Sequence, residues 1–279
     1  MAQQSPPRPI RACIFDMDGL LINTEDLITV SINTILHAHG KPSIPGHIRA
    51  QLQGLHLREA SKILLEWSQL PLTYEEYQSQ LSAQHQKTFP TARPLPGVVG
   101  LLDQLAQCEN VELALATSSG RSKFELKTSH LHGLFRQFPP DSQVLGDDSR
   151  LGPNKGKPEP DIYLLALDTI NQRLSAQGKA MITPTECLVF EDSVAGVQSG
   201  RRAGMQVVWC PHSDIRVEYQ GREEEVLRGE NLAMSGAPEV PFKARKKRND
   251  GRSLWSEDGW ARLLTTLEDF DCREYSIVL

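Results

Sequence analysis

The sequence predicts an α/β protein, a doubly wound parallel sheet with a small α-helical domain inserted after the first strand. From residue 98 to residue 210, short apolar runs alternate with segments of helical period. This alternation is typical of a parallel sheet covered by helices on both faces. Residues 24–89, in contrast, keep a helical period with little β signal. We therefore expect that stretch to form a separate small domain over the carboxyl edge of the sheet.

The first predicted strand is the apolar run 10–15, which stops at the polar turn Asp16-Met-Asp-Gly19. Prolines divide the helical stretch that follows into about four helices, because proline ends or kinks a helix. The run Arg93-Pro-Leu-Pro-Gly97 marks the return to the sheet domain. These boundaries predict a disordered tail over 1–9, a core formed by 10–22 and 93–279, and a helical domain over 23–92.

Within the core, the pattern predicts strands over 111–117, 143–145, 187–190 and 205–210, and helices over 98–105, 121–132, 161–174 and 193–203. The regular pattern fades between 216 and 256, where we expect a largely disordered insertion. A closing helix is expected near 259–270. The insertion contains a basic run at 243–248. This run is compatible with a nuclear-localisation patch, although a solvated loop is the simpler interpretation.

Composition excludes several classes of protein. A length of 279 residues suits about two domains. Thirty basic and 35 acidic residues give a net charge of −5, which argues against broad nucleic-acid or membrane-surface binding. No apolar run approaches the roughly 18 residues of a membrane helix, and five scattered cysteines without a CxxC pair indicate reduced thiols. We expect a cytoplasmic protein that could also enter the nucleus, without nucleic-acid or membrane partners.

Polar side chains follow three of the predicted strands and occupy one loop. They are Asp16 and Asp18, Thr117 and Ser118, Lys157, and Glu191 with Asp192. Because ligands of open α/β sheets bind outside the carboxyl ends of the strands, we expect these groups to converge. Clustered carboxylates with one ammonium and one hydroxyl suit Mg²⁺ and a phosphate, since Mg²⁺ prefers hard oxygen ligands and lysine offsets phosphate charge.

Each of these residues also has an ordinary structural interpretation. Asp16 could cap a turn, Thr117 could bond locally at a strand end, and Asp192 could be a helix N-cap. Their joint placement favours function instead. From the reference pKa of aspartate, about 3.9, we expect Asp16 to be ionised at neutral pH and to need no base to attack phosphorus. Thr117 and the backbone N–H of Ser118 open a predicted helix, where free N–H groups suit an anion.

The motifs resemble those of a known superfamily. The four that match are Asp16-Met-Asp-Gly19, Thr117, Lys157-Pro-Glu-Pro-Asp161 and Glu191-Asp-Ser193. Together they resemble the haloacid dehalogenase-like hydrolases, which have a Rossmann-like core, and the helical insertion resembles the C1-type cap of that superfamily. Further stretches over residues 10–213, among them Lys127-Thr-Ser129 and Val144-Leu-Gly-Asp-Asp148, are similar to the subfamily of pseudouridine-5′-phosphatases.

The resemblance implies a role for each matched residue. Asp16 would form an aspartyl-phosphate and bind Mg²⁺. Asp18 would protonate the leaving oxygen, later activate water, and ligate Mg²⁺ through its backbone carbonyl; its presence excludes the dehalogenases, which lack it. Lys157 would steady the nucleophile and the transferring phosphoryl group. The remaining implied roles are Mg²⁺ ligand for Asp192, an outer hydrogen-bonding role for Glu191, and phosphate binding for Thr117 and Ser118.

The implied activity is that of a Mg²⁺-dependent phosphomonoesterase for a small phosphorylated metabolite, with pseudouridine 5′-phosphate as the first candidate. A sugar- or polyol-phosphate phosphatase and a β-phosphoglucomutase-like phosphotransferase are the alternatives. A non-enzymatic binding protein fits less well, because all four motifs are intact. The resemblance also makes a monomer the default. Gly54, near Gln53 and His56, lies in a loop that resembles the substrate-specificity loop of the family, although a plain helix-ending glycine fits equally well.

Overall fold

The computed structural model describes residues 9–53, 57–153, 155–230 and 253–277. The strands in these ranges are β1 Ala12–Phe15, β2 Glu112–Ala116, β3 Gln143–Val144, β4 Cys187–Glu191, β5 Gln206–Trp209, β6 Ser253–Trp255 and β7 Ala261–Leu264. They form one sheet in the order β3-β2-β1-β4-β5-β7-β6. All neighbouring strands are parallel except β6 and β7, which are antiparallel.

Helices cover both faces of this sheet. The helices of the sheet domain are α5 Val98–Leu105, α6 Arg121–Thr128, α7 His132–Phe135, α8 Asp161–Ala176, α9 Val194–Arg202, α10 Ser213–Glu218 and α11 Glu223–Leu227. Alternate residues of β1 enter different cores: Cys13 and Phe15 pack with α5, α6 and α7, whereas Ala12 and Ile14 pack with α8 to α11. Side chains of a strand alternate between its faces, so β1 is buried on both sides. The doubly wound α/β fold is therefore confirmed.

Four helices form the insertion between β1 and α5, the number that the prolines predict. They are α1 Thr24–Ala38, α2 Gly46–Leu52, α3 Leu57–Ser68 and α4 Tyr74–Thr88. Their inward side chains, including Leu36, Leu64 and Tyr77, form a hydrophobic cluster of their own. A capping box starts α4, since the Glu76 N–H donates to Thr73 Oγ1 (3.2 Å) and the Thr73 N–H donates to Glu76 Oε2 (2.8 Å). The helical insertion thus has an independent core.

The C-terminal part differs from the prediction. The closing helix expected near 259–270 is wrong: residues 261–264 form strand β7, parallel to β5, followed by a short 3₁₀ turn at Leu267–Asp269. All four residues of β7 are buried, and a run this short carries no period that could separate a strand from a helix. The pairing with β5 and β6 decides its conformation.

The expectation of a largely disordered stretch from 216 to 256 is also wrong for its described part. Helices α10 and α11 and strand β6 lie within or overlap that range. Val226 and Leu227 of α11 are fully buried and join the core of α8 and α9, so burial of two apolar side chains fixes a polar helix. Residues 231–252, with the basic run at 243–248, lie outside the described residues, as do 1–8 and 54–56.

The helix expected over 121–132 ends at Thr128, and the separate short helix α7 follows from His132. Among the helices in the described ranges, none is long and apolar enough to cross a lipid bilayer.

Candidate active site

The site lies where β1, β2 and β4 end at the same edge of the sheet. Asp16 follows β1 directly, and its backbone N–H donates to the Phe190 carbonyl of β4 (3.0 Å). Thr117 follows β2, and its N–H donates to the Val144 carbonyl of β3 (3.1 Å). These backbone hydrogen bonds extend the parallel pairing one residue beyond the ends of β1 and β2, and they fix the backbones of Asp16 and Thr117. Asp16 and Thr117 are consequently buried, although each carries a polar group.

A tight turn follows Asp16 and returns the chain toward the helical insertion. The Gly19 N–H donates to the Ile22 carbonyl (3.0 Å), and Gly19 has a φ of +80°, a conformation that glycine adopts without strain. A side chain at this position would also overlap the carboxylate of Asp192. The glycine therefore permits the β1 turn and the β4 end to approach each other closely.

Lys157 lies at the centre of the buried charges. Its ammonium donates to Asp16 Oδ1, lies 2.7 Å from Glu191 Oε1, and donates to the Ala116 carbonyl (3.2 Å). The side chain is only 6% exposed. Burial alone lowers the pKa of a lysine, but the carboxylates of Asp16 and Glu191 hold the pKa of Lys157 above its ordinary value. Lys157 is therefore a permanent cation that bridges two carboxylates.

Glu191 is fully buried, and both of its oxygens accept hydrogen bonds from the protein. The hydroxyl of Tyr163 donates to Oε1 (2.5 Å). The N–H groups of Asp192 and Ser193 donate to Oε2 (3.1 Å each), and the Ser193 hydroxyl donates to it as well (3.0 Å). Behind it lies Gly196 of α9, where a side chain would overlap the Glu191 carboxylate. Glu191 is thus held by Tyr163 and Lys157 at one oxygen and by the residues just before α9 at the other.

Three buried carboxylates form a group that could hold a metal ion. Asp16, Glu191 and Asp192 each offer an oxygen, and these oxygens lie within 4.8 Å of one another. Burial, with the negative charge of Glu191 nearby, raises the pKa of Asp16 to about 7 and holds the pKa of Asp192 well above its ordinary value. One ammonium cannot neutralise three carboxylates, so the group suits a divalent cation. Hard oxygen donors of this kind fit Mg²⁺.

Asp18 has a different environment from Asp16. Oδ1 accepts hydrogen bonds from Thr24 Oγ1 and Lys127 Nζ (2.6 Å each), and Oδ2 accepts one from Ser119 Oγ (2.7 Å). Thr117 Oγ1 lies 3.5 Å from Oδ2. Although burial raises the pKa of Asp18, the Lys127 ammonium and these hydrogen bonds lower it further, and the pKa lies below its ordinary value. These contacts favour the carboxylate form of Asp18, so Asp18 must take up a proton before it can act as an acid.

Lys127 is a site residue that the sequence reasoning missed. It lies near the end of α6, on the buried stripe that it shares with Phe124 and Thr128 at i−3 and i+1. A lysine on the apolar side of an amphipathic helix is rare unless it is paired. That placement is the signal that could have identified it, together with the Lys127-Thr-Ser129 stretch.

The two expected phosphate ligands differ in exposure. Thr117 is fully buried, and its Oγ1 accepts a hydrogen bond from the Ser119 N–H (3.1 Å). Ser118, between them in sequence, is exposed, and its backbone passes so close to Gly146 that a side chain there would overlap Ser118. The loop between β2 and α6 is thereby fixed, with Ser118 accessible from outside.

The helical insertion reaches the site through Gln53, at the end of α2. Its amide nitrogen donates to Asp192 Oδ2 (2.5 Å). Nearby, Arg49 of α2 forms an ion pair with Asp214 of α10 (2.8 Å) and a hydrogen bond to His212. Gly54 and His56 lie outside the described residues. The insertion and the sheet domain therefore meet directly at one carboxylate of the acidic group.

Comparison with known proteins identifies the family. The family model described as haloacid dehalogenase-like hydrolase matches residues 13–210. The chain belongs to this family. The match begins in β1 and ends after β5, so it contains the four converging motifs and the helical insertion between them.

The relatives of this haloacid dehalogenase-like hydrolase include phosphatases. A probable pseudouridine-5′-phosphatase of Saccharomyces cerevisiae is 40% identical over 82% of this chain and 94% of its own length. A probable pseudouridine-5′-phosphatase of Drosophila melanogaster is 38% identical over 79% of this chain and 90% of its own length. Among solved structures, a candidate β-phosphoglucomutase from Thermotoga maritima matches with a TM-score of 0.56 and 30% identity, covering 73% of this chain and 87% of that one. The chain is a phosphatase of this family.

Proposed function

We propose that the chain is a Mg²⁺-dependent phosphomonoesterase that uses Asp16 as its nucleophile and pseudouridine 5′-phosphate as its preferred substrate. The observation that supports it most directly is the position of Asp16. Its carboxylate is buried at the end of β1, bound by Lys157, and lies within 4.8 Å of carboxylate oxygens of Glu191 and Asp192. A nucleophile in such a place meets an anionic phosphate only if nearby cations offset the charge.

The residues that would hold Mg²⁺ are Asp16, Asp192 and the backbone carbonyl of Asp18. Glu191 would not bind the ion directly but would act through hydrogen bonds around it, because both of its oxygens already accept hydrogen bonds from protein donors. When bound, the ion would supply positive charge beside the phosphate oxygens and the nucleophile. Lys157, fixed between Asp16 and Glu191, would add a second positive charge on the same side.

The reaction would consist of two displacements at phosphorus. In the first, a carboxylate oxygen of Asp16 bonds to phosphorus, the ester P–O bond breaks, and the leaving oxygen takes its electron pair together with a proton from Asp18. In the second, Asp18 removes a proton from water, whose oxygen bonds to phosphorus while the Asp16–P bond breaks. Thr117 and the N–H of Ser118 would bind the phosphoryl oxygens throughout. The first step leaves Asp16 phosphorylated and Asp18 without its proton, and the second step frees Asp16 and returns a proton to Asp18.

The helical insertion, residues 23–92, would serve as a cap that excludes water and selects the leaving group. The contact of Gln53 with Asp192 supports this role, since it joins the insertion to the acidic group. We also infer a monomeric, cytoplasmic enzyme without nucleic-acid or membrane partners. The cysteines of the described residues are all free thiols, as expected in a reducing compartment.

Substrate choice rests on the names of the relatives. Two relatives at 40% and 38% identity are named probable pseudouridine-5′-phosphatases. More distant relatives support sugar or polyol phosphates: a Thermotoga maritima phosphatase of phosphorylated carbohydrates is 29% identical over 72% of this chain. A mutase on the same motifs would return the phosphoryl group to a sugar. Steady release of inorganic phosphate from a monophosphate separates the phosphatase from the mutase.

The test is a phosphate-release screen with Mg²⁺ over nucleotides, sugar phosphates, polyol phosphates and pseudouridine 5′-phosphate. We expect kcat/KM for pseudouridine 5′-phosphate to exceed that of the others by more than about tenfold, or about 1.4 kcal/mol. EDTA and the variant Asp16→Asn should each abolish turnover. Turnover that is independent of Mg²⁺ would contradict the metal requirement, and an active Asp16→Asn protein would contradict the nucleophile. A preference for another phosphate would contradict the substrate alone.

A further inference from the structure

We propose that Lys127 is a positioning residue, which holds the carboxylate of Asp18 in the orientation needed to exchange protons with the leaving group and with water. The inference rests on the proposed function, and it concerns a lysine outside the four motifs of the family. Its basis is a closed set of hydrogen bonds around Asp18.

Lys127, Ser119 and Asp18 form a ring of three hydrogen bonds. The Lys127 ammonium donates to Asp18 Oδ1 (2.6 Å) and to Ser119 Oγ (2.9 Å), and the Ser119 hydroxyl donates to Asp18 Oδ2 (2.7 Å). Both oxygens of Asp18 are therefore tied to α6 and the loop before it. Rotation of the carboxylate would break two bonds of the ring at once, so the ring fixes the orientation of Asp18.

The lysine is poorly explained as a surface charge. Its side chain is 4% exposed, and its ammonium lies 4.6 Å from the centre of the Phe89 ring. Within the described ranges, Asp18 is the carboxylate with which Lys127 forms an ion pair. A buried ammonium is costly unless it is paired and hydrogen-bonded. The chain keeps this charge at the one carboxylate that follows the nucleophile by two residues.

Removal of the lysine leaves Asp18 with weaker support. Thr24 would still donate to Oδ1 and Ser119 to Oδ2, but Ser119 would lose the ammonium that orients its own hydroxyl. Hydrogen bonds from charged donors are the stronger ones and impose geometry. A misoriented Asp18 would slow proton transfer while the phosphate is still bound, so the defect should appear in kcat and not in KM.

The competing interpretation is that Lys127 contacts the substrate directly. It predicts a change in KM, and an effect that does not depend on Asp18. An ammonium that binds the substrate in the ground state contributes to KM and acts whether or not residue 18 is a carboxylate. A role through Asp18 disappears when Asp18 has lost its function. The two interpretations can therefore be separated in a variant that lacks the Asp18 carboxylate.

The experiment measures steady-state kinetics for Lys127→Met and Lys127→Gln, alone and combined with Asp18→Asn. The substrates are 4-nitrophenyl phosphate, whose good leaving group keeps weak activity measurable, and the best alkyl phosphate of the screen. Lys123→Met is the matched control, since Lys123 lies one helical turn earlier on α6 and is exposed. Thermal unfolding of every variant shows whether it is folded, and Lys127→Gln keeps a neutral donor if the Lys127→Met protein does not fold.

We expect Lys127→Met to lower kcat for the alkyl phosphate by about 10- to 100-fold, part of the contribution of a general acid–base group, with KM within about threefold of wild type. Lys127→Gln should lose less, and Lys123→Met should match wild type. In the Asp18→Asn background, Lys127→Met should change activity toward 4-nitrophenyl phosphate by less than about threefold.

Three results would overturn the inference: an unchanged kcat, a raised KM with unchanged kcat, or an equal loss in the Asp18→Asn background. If the wild-type protein itself releases no phosphate, the proposed function fails and this inference fails with it. If the wild type is active and Lys127→Met equals it, the inference fails alone.

Discussion

Replacing Asp192 by asparagine should stabilise the metal-free protein while it removes the effect of Mg²⁺. Asp192 shares its buried position with Asp16 and Glu191, and one ammonium serves all three carboxylates. An asparagine at this position has nearly the same shape. Its amide oxygen can still accept the hydrogen bond that Gln53 donates to the carboxylate. The substitution therefore removes charge and changes little else.

The expected size follows from the separation of the charges. Two unit charges no more than 4.8 Å apart repel by at least about 3.5 kcal/mol at an effective dielectric constant of about 20. Asp192 is repelled by both neighbours and attracted by Lys157, so the terms partly cancel. We expect the free energy of unfolding in EDTA to rise by about 1 to 3 kcal/mol. Each kcal/mol should raise Tm by about 2 °C or more.

Thermal unfolding with and without Mg²⁺ measures both effects. The wild type should gain stability when Mg²⁺ is added, because an ion that binds only the folded state stabilises it. The Asp192→Asn protein should start higher in EDTA and gain nothing from Mg²⁺. The control is Asp103→Asn on the exposed side of α5, which should follow the wild type. A variant less stable than wild type in EDTA, or one stabilised by Mg²⁺ to the same degree, would refute the electrostatic account.

Three further predictions concern other groups. Burial raises the pKa of Glu25 to about 7. Between about pH 4.5 and 7 the folded wild type therefore keeps a proton on Glu25 that the unfolded chain has lost, and the wild type loses stability as the pH rises. Glu25→Gln has no such proton, so its free energy of unfolding in EDTA should rise relative to that of wild type over this range. Urea unfolding at several pH values measures this, and a constant difference would contradict it. Gly196→Ala should lower the free energy of unfolding by about 1–3 kcal/mol and weaken Mg²⁺ binding, because the new methyl group overlaps the Glu191 carboxylate; unchanged Mg²⁺ titration would count against it. Thr73→Ala should cost about 1 kcal/mol through loss of the α4 cap without altering kcat at saturating substrate, and altered kinetics would show that the cap helix affects catalysis.

The sequence predicts the central sheet well, because its strands are apolar runs that end at polar residues. Helix α5 begins and ends where its period predicts, at Val98 and Leu105. The motif residues converge because parallel strands end at one edge. Strand β7 could not be predicted in the same way, since four residues carry no usable period and the neighbouring strands decide their conformation.

Contacts between elements that are distant in sequence are the part of the site that a single sequence does not predict. Tyr163 donates to Glu191, Gln53 to Asp192 and Lys127 to Asp18, across 28, 139 and 109 positions. Tyrosine, glutamine and lysine are common at such helix positions for other reasons. Only the packing of α8, α2 and α6 against the sheet edge brings them to the acidic residues.

The place of the helical insertion has a consequence for how new specificities arise. With it, about 96 residues separate the paired ends of β1 and β2, and without it about 26 would; the longer loop adds only about 1 kcal/mol of closure entropy. Because the four helices have a hydrophobic cluster of their own, much of their apolar burial does not involve the sheet. Chains that exchanged this segment would keep the strands, Asp16 and Lys157 unchanged. On the proposed role of the insertion as a cap, selection of the leaving group can diverge among descendants while the residues at the sheet edge are inherited.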